Sequence, residues 1–395
     1  MISSKLNSPF KVGLLAAIIL CSLITGRWWF GGCDISRFMV CGDHFTNSAK
    51  TPISLQVIKH CGGYDGQFFS RLAFAPFTRE RHAYGMTLDS PSYRQQRIFY
   101  PFMAWVLAAG RAELVPWTLV IINLFALIGI AFLAASMAKR FHLHPAYGLL
   151  PMLSCGLILS FGRNLAEPLA AFLVTLTLYL LFEKKMFLCV LAASLSVLTR
   201  ESSLITFAAI GILLMSFSLH DKHQPKDKSF LLFLLPLMVY TIWQIYLKVV
   251  WGSLPLTSGP SLSPYPLRDF ILQLRLNPYR QKPFECLVSF LYLTWYFWLA
   301  LEVLGSFRIK LKNPKTEKFC FIVTLHTAWL FWSIFILFLP LCMWVDDWSF
   351  TRVMAEWSLL GWLCLFACSK RPGKGLVFFT LILAAGSILR LWLRP

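Results

Sequence analysis

The chain has 395 residues, 57% hydrophobic and 14% charged, with a net charge of +19 and a mean hydropathy of +0.63. Soluble globular chains carry roughly 25% charged residues, so the composition excludes an ordinary soluble domain. The basic residues fall between apolar runs, the pattern of loops facing anionic headgroups and not of a nucleic-acid-binding surface.

Apolar runs recur from end to end, most of them near the ~20 residues needed to cross about 30 Å of hydrocarbon. The sequence predicts an all-α polytopic membrane protein, residues 1–395 forming one integral membrane domain without internal repeat. The N-terminus is short and basic, with Lys5 and Lys11. A first span is expected over residues 12–31. It lacks a small-residue cleavage site and ends in Arg27-Trp28-Trp29, an interfacial anchor, so it reads as retained. A large polar loop covers residues 32–111. Within it, residues 100–109 are apolar but too short to span, and read as a helix at the interface. Further spans are expected at 115–137 and 146–162, then from the break at Phe161-Gly162-Arg163-Asn164 to Phe182. The rest are expected at 186–199, 202–218, 230–250, 284–304, 319–341, 353–369 and 375–392, about eleven in all. A second polar loop, rich in Pro and Ser, covers 251–283, and Asp346, Asp347 and Arg352 are expected in a short loop. The eleven cysteines contain no CxxC pair. Cys33, Cys41 and Cys61 share the first loop, where two could pair in an oxidising compartment; spacing does not choose which.

With the N-terminus in the cytoplasm, the loops on that side hold 14 of the 18 lysines but 3 of the 19 arginines. Among these are Lys5, Lys139, Arg140, Lys184, Lys222, Lys226, Lys228, Lys312, Lys315 and Lys370. The short opposite loops hold single arginines, which satisfies the positive-inside rule. Lysine suffices as a topology signal, whereas arginine is preferred where a planar fork grips carboxylate or phosphate. The arginine-rich outer face therefore reads as a place that handles anions.

That face collects Asp65, Asp89, Arg94, Arg97, Arg163, Asn164, Glu167, Arg200, Glu201, Asp346, Asp347 and Arg352. Sequence spacing pairs Arg163 with Glu167, Arg200 with Glu201 and Asp347 with Arg352, as interfacial salt bridges at helix ends. Asp65 follows Gly62-Gly63-Tyr64 and precedes Gly66-Gln67-Phe68. On spacing alone Asp65-Gly66 reads as a turn, with general base and metal ligand as the functional alternatives. Tyr64 and its aromatic neighbours suit stacking on a sugar, and Gln67 is grouped with them as a substrate contact. Asp89 reads as a turn residue or helix cap. Arg94 and Arg97 share one face if helical, and suit a phosphate.

Tyr64-Asp65-Gly66-Gln67-Phe68, with Arg71-Leu72-Ala73, Leu88-Asp89, Tyr93-Arg94, Arg97-Ile98 and Tyr100-Pro101, resembles a bacterial family of multi-spanning proteins similar to the GT-C glycosyltransferases. It also resembles the eukaryotic GPI mannosyltransferases. Arg163-Asn164-Leu165-Ala166-Glu167-Pro168 and Leu198-Thr199-Arg200-Glu201 are similar to later motifs of that group. The resemblance covers about residues 60–205, and the remainder by topology only. It departs in having Tyr64 where many relatives have Trp, and in added cysteines around the loop. The resemblance implies a GT-C-like bundle in a bacterial inner membrane and a polyprenyl-phosphate sugar donor. It also implies an acidic residue of the first outer loop, here Asp65, as catalytic base or metal ligand, so a divalent metal stays open as a cofactor.

The expected function is inverting glycosyl transfer on the extracytoplasmic face to an acceptor of unknown identity. Asp65 takes the acceptor proton, and arginines among Arg94, Arg97, Arg163, Arg200 and Arg352 hold the lipid phosphate. The main rival is a flippase or transporter, for which Glu302 and Glu356 are the intramembrane candidates; Glu356 four residues after Arg352 also reads as a helix-end ion pair. An acyltransferase lacks a placed nucleophile motif, and a non-catalytic scaffold is the remaining alternative.

Overall fold

The computed structural model describes residues 6–220, 228–276, 283–311 and 318–394. Lys5, Lys222, Lys226, Lys312 and Lys315 of the topology argument lie outside the described residues, as does part of the loop expected over 251–283.

Among the described residues the chain is all-α apart from two short strand pairs in the first loop. Helix α1 (Pro9–Phe30) precedes that loop, which carries α2 (Asp65–Phe74), α3 (Pro91–Gln95) and α4 (Phe99–Leu107). There follow α5 (Val115–Arg140), α6 (Leu149–Met152), α7 (Cys155–Phe161), α8 (Glu167–Phe182), α9 (Met186–Thr199) and α10 (Ser203–His220). The second half holds α11 (Leu234–Trp251), α12 (Pro255–Ser258), α13 (Arg268–Leu276), α14 (Pro283–Leu311), α15 (Phe319–Ile336), α16 (Leu341–Trp344), α17 (Asp347–Ala367) and α18 (Lys374–Leu393). The strands are β1 (Cys41–Gly42) parallel to β2 (Val57–Ile58), and β3 (His82–Ala83) antiparallel to β4 (Met86–Thr87).

Among the described residues six segments are helical, long and apolar enough to cross a membrane: Pro9–Phe30, Ala112–Arg140, Phe230–Trp251, Phe284–Leu311, Phe319–Ile336 and Lys374–Leu393. They fit an integral membrane protein. Three shorter apolar helices lie at Glu167–Phe182, Met186–Thr199 and Ser203–Ser218. The span expected over 146–162 is not one helix. A 3₁₀ turn, α6 and α7 replace it, and the chain is extended at Ser154. The break lets Gly156 reach the Thr351 carbonyl of α17, where any Cβ would collide.

Helix α17 is the axis of the bundle. It packs against α7, α14, α15 and α16. Every residue of it is buried except Ser349 and Arg352, which are half-buried. A helix apolar nearly all round belongs inside, and Phe350, Trp357 and Trp362 fill this one. It begins earlier than expected: Asp346 caps it by accepting from the Trp348 N–H at 3.3 Å, so Asp347 and Arg352 are helical and not in a loop.

The first loop has a core of its own. Met39, Phe69, Phe74, Tyr100 and Ala104 pack onto Leu119, Leu165 and Leu169 of the bundle. The helix expected over 100–109 is α4, and its Tyr100 hydroxyl donates to the Leu119 carbonyl at 3.0 Å. The Arg27-Trp28-Trp29 anchor is corrected in part. Trp29 is exposed, but Arg27 is fully buried. Its guanidinium donates to the Leu391 and Arg394 carbonyls at the end of α18 and to the Arg37 carbonyl. Helix ends leave such carbonyls without intrahelical partners, so Arg27 ties the first helix to the last.

Candidate functional site

Asp65 is the first residue of α2, after Tyr64 at the N-cap. The Asp65-Gly66 turn reading is therefore corrected: Gly66 serves close packing inside a helix. A Cβ on it would strike the Arg163 and Met39 carbonyls. A carboxylate at a helix N-terminus is favoured by the free N–H groups there. Gln67 braces the loop behind it. Its Oε1 accepts from the Gly42 N–H at 3.1 Å and the Thr46 hydroxyl at 3.0 Å, and its Nε2 donates to the Gly62 carbonyl at 2.7 Å. Gln67 is fully buried and does not line the cleft described next, so its geometry is that of a brace and not of a substrate contact.

Tyr64 and Asp65 border a cleft of about 210 Å³, many times the space one water needs. Arg94 enters from α3, Arg97 from just before α4, Arg200 from the end of α9 and Arg352 from α17. Tyr93, Ser349, Val353, Pro260, Cys342 and Met343 complete the lining. The second polar loop sits against α3 here. Ser90 donates to the Ser258 carbonyl at 3.2 Å, and the Ser92 and Ser253 hydroxyls are 2.9 Å apart.

Each arginine is backed by an acid. Arg94 grips both oxygens of Asp89, through Nε at 2.8 Å and Nη2 at 2.7 Å. Arg97 grips both oxygens of Glu201, at 2.9 and 2.5 Å, and donates to the Tyr93 hydroxyl at 3.1 Å. Arg352 donates from Nε to Glu167 at 2.9 Å, and Arg200 stands 3.7 Å from the same carboxylate. Asp65 takes what remains: Arg94 Nη1 on Oδ1 and Arg352 Nη2 on Oδ2, both at 2.9 Å. Burial pushes the Asp65 carboxyl up, but the charges of Arg94 and Arg352 outweigh it and hold the group well below the usual carboxylate range. Burial likewise raises Glu201, and Arg97 pulls it down to about 2.

These contacts replace the pairs expected from sequence spacing. Arg163 does not pair with Glu167. It lies between the Tyr64 and Trp348 rings, 4.2 and 3.8 Å from their centroids, and makes no ion pair among the described residues. Glu201 meets Arg97 and not its neighbour Arg200. Asp347 pairs with Arg390 of α18, not with Arg352. Glu356 is satisfied by Ser203, Thr206 and Trp332 at 3.1, 2.6 and 3.2 Å, and makes no pair with Arg352. Glu302 accepts from the Gly373 N–H at 3.2 Å.

Of the residues singled out from the sequence, Tyr64, Asp65, Arg94, Arg97, Arg200 and Arg352 line the cleft. Asp89, Glu167 and Glu201 stand behind its arginines, and Arg163 props Tyr64. Sequence reasoning quoted Tyr93 only within the resemblance motif and did not name it as a site residue. It also missed Pro260, Cys342, Met343, Ser349 and Val353, which carry no local mark. A divalent metal does not fit: both Asp65 oxygens are ion-paired to guanidiniums, and among the described residues no three His, Cys, Asp or Glu side chains gather. Cys33, Cys41 and Cys61 are all free thiols.

Comparison of the chain with protein-family models, with curated proteins and with solved structures finds no match.

Proposed function

We propose that this chain is a membrane glycosyltransferase of the GT-C type, which takes a sugar from a polyprenyl-phosphate donor and passes it to an acceptor hydroxyl. One observation carries the reading: a carboxylate, Asp65, shares a cleft with four arginines at the end of an apolar bundle. Arginine clusters suit a phosphate that gains charge as it leaves. Apolar helix faces suit a polyprenyl tail. In this scheme Asp65 takes the proton from the acceptor oxygen as that oxygen bonds to the sugar C1. The bond from C1 to the phosphate oxygen breaks on the opposite side, inverting the anomeric centre. The electron pair leaves on polyprenyl phosphate, held by Arg94, Arg97, Arg200 and Arg352. The proposal places the N-terminus in the cytoplasm of a bacterial cell and the cleft on the outer face of its inner membrane.

The test is transfer by the purified protein in vesicles, with polyprenyl-phosphate mannose and polyprenyl-phosphate glucose as donors. Loss of general-base catalysis lowers rates by roughly 10²–10⁴-fold, so Asp65→Asn is expected to fall at least ~100-fold. Exposed Arg111, changed to Gln, is expected to leave the rate unchanged. Wild-type turnover in Asp65→Asn, or none by the wild type with either donor, sinks the proposal.

A further inference from the structure

The geometry points to a donor-operated latch: the position that Asp65 fills between Arg94 and Arg352 is the phosphate site, and an arriving phosphate frees Asp65 to act as base. The inference rests on the functional reading above and adds to it an internal competitor for the anion site.

Several guanidinium edges at the site are already committed. Arg94 spends Nε and Nη2 on Asp89 and turns Nη1 to Asp65. Arg352 spends Nε on Glu167; its Nη2 reaches Asp65 at 2.9 Å and lies 2.8 Å from Glu167. Both guanidiniums therefore stay anchored if Asp65 lets go. The carboxylate is bridged, one oxygen to each arginine, at 2.9 Å on both sides. A phosphate presents two or more oxygens and can take the same two donors.

Charge favours the exchange. The four cleft arginines are backed by three acids, Asp89, Glu167 and Glu201, and Asp65 brings the set to four against four. Displacing Asp65 by a phosphate keeps both guanidiniums paired. Asp65 loses two counter-charges and gains an anionic neighbour, and both changes favour its protonated form. The resting carboxylate is a poor base because two cations hold it; with phosphate bound it becomes a competent one. The acceptor is thus activated only when the donor is in place. The one proton that moves goes from the acceptor hydroxyl to Asp65, as in the transfer scheme.

The test uses the intact protein and inorganic pyrophosphate, with no sugar or lipid substrate. The expected result is that Asp65→Asn binds pyrophosphate about tenfold more tightly than the wild type, the competing charge being gone. The Arg94→Gln, Arg352→Gln double variant is expected to lose binding. Affinity in Asp65→Asn equal to or below that of the wild type overturns the latch. A second measurement needs no variant. Saturating pyrophosphate is expected to increase carbodiimide labelling of Asp65 in the wild type severalfold at pH 6, with Asp89 unchanged. Protection of Asp65 instead shows that the anion covers a carboxylate still held, and overturns the latch. A latch that fails in an active transferase removes this inference alone. A latch that works in a protein with no transfer activity removes the sugar chemistry alone.

Discussion

Arg97 and Glu201 meet through two hydrogen bonds, 2.9 and 2.5 Å long, across 104 residues of chain. The pair clips the first loop to the turn between α9 and α10, and holds Arg97 in the cleft lining. Parallel alignment of a guanidinium with a carboxylate is the strongest form of this contact, and the side chains are 10% and 22% exposed.

The pair makes stability depend on acid. The Glu201 carboxyl sits at about 2 in the folded protein against a usual 4.5. The folded pKa is depressed, so the contribution is complete above about 4.5 and is lost as pH falls towards 2. The unfolded chain binds more protons in that window, so stability rises with pH there. Thermal unfolding in detergent between pH 5 and 2.5 is expected to show a steeper pH dependence in the wild type than in Glu201→Gln. Equal slopes would show that Glu201 does not link folding to pH.

Arg163 is held by two aromatic faces and not by a carboxylate. Stacking of this kind needs the flat guanidinium, and each buried contact stabilises by about 0.5–2 kcal/mol. Arg163→Lys keeps the charge but not the plane, so it is expected to cost about 1–2 kcal/mol in chemical denaturation. It is also expected to raise the KM of the proposed transfer reaction, because Tyr64, on which Arg163 stacks, lines the cleft. Arg111→Lys, at an exposed site, serves as the control. If Arg163→Lys matches the wild type in both measurements, the charge alone matters there.

Gln67 is a test of brace against substrate contact. Gln67→Leu leaves the Gly42 N–H and the Gly62 carbonyl without their side-chain partner. A buried polar group left unsatisfied costs about 1–3 kcal/mol, so a fall in stability of that order is expected. The KM of the folded fraction in the proposed transfer reaction is expected to hold. A raised KM with unchanged stability would return Gln67 to the substrate.

Much of the class and the cast was legible without coordinates. Apolar runs of spanning length announce six of the helices. The short run after Arg97 gives α4, and Arg200-Glu201 marks the break between α9 and α10. Arg94, Arg97, Arg200 and Arg352, picked out from the sequence, gather in one cleft. The span expected over 146–162 failed because hydropathy reports burial and not continuity. A chain kinked at Ser154 so that Gly156 touches α17 has the same hydropathy as a straight helix.

Pairing was out of reach for a different reason. Spacing along the chain offers only neighbours, so Glu167 went to Arg163, Glu201 to Arg200 and Asp347 to Arg352. Packing gave them Arg352, Arg97 and Arg390. The sequence by itself determined that the protein is an apolar helical bundle and that a few acids and arginines break its apolar character, since composition and run length are local properties. Only the tertiary structure decided that Asp65 opens a helix and that Arg94 and Arg352 both end on it. An ion pair forms between whichever charges folding brings within hydrogen-bond reach, and here that placement depends on α17 running buried through the bundle's centre.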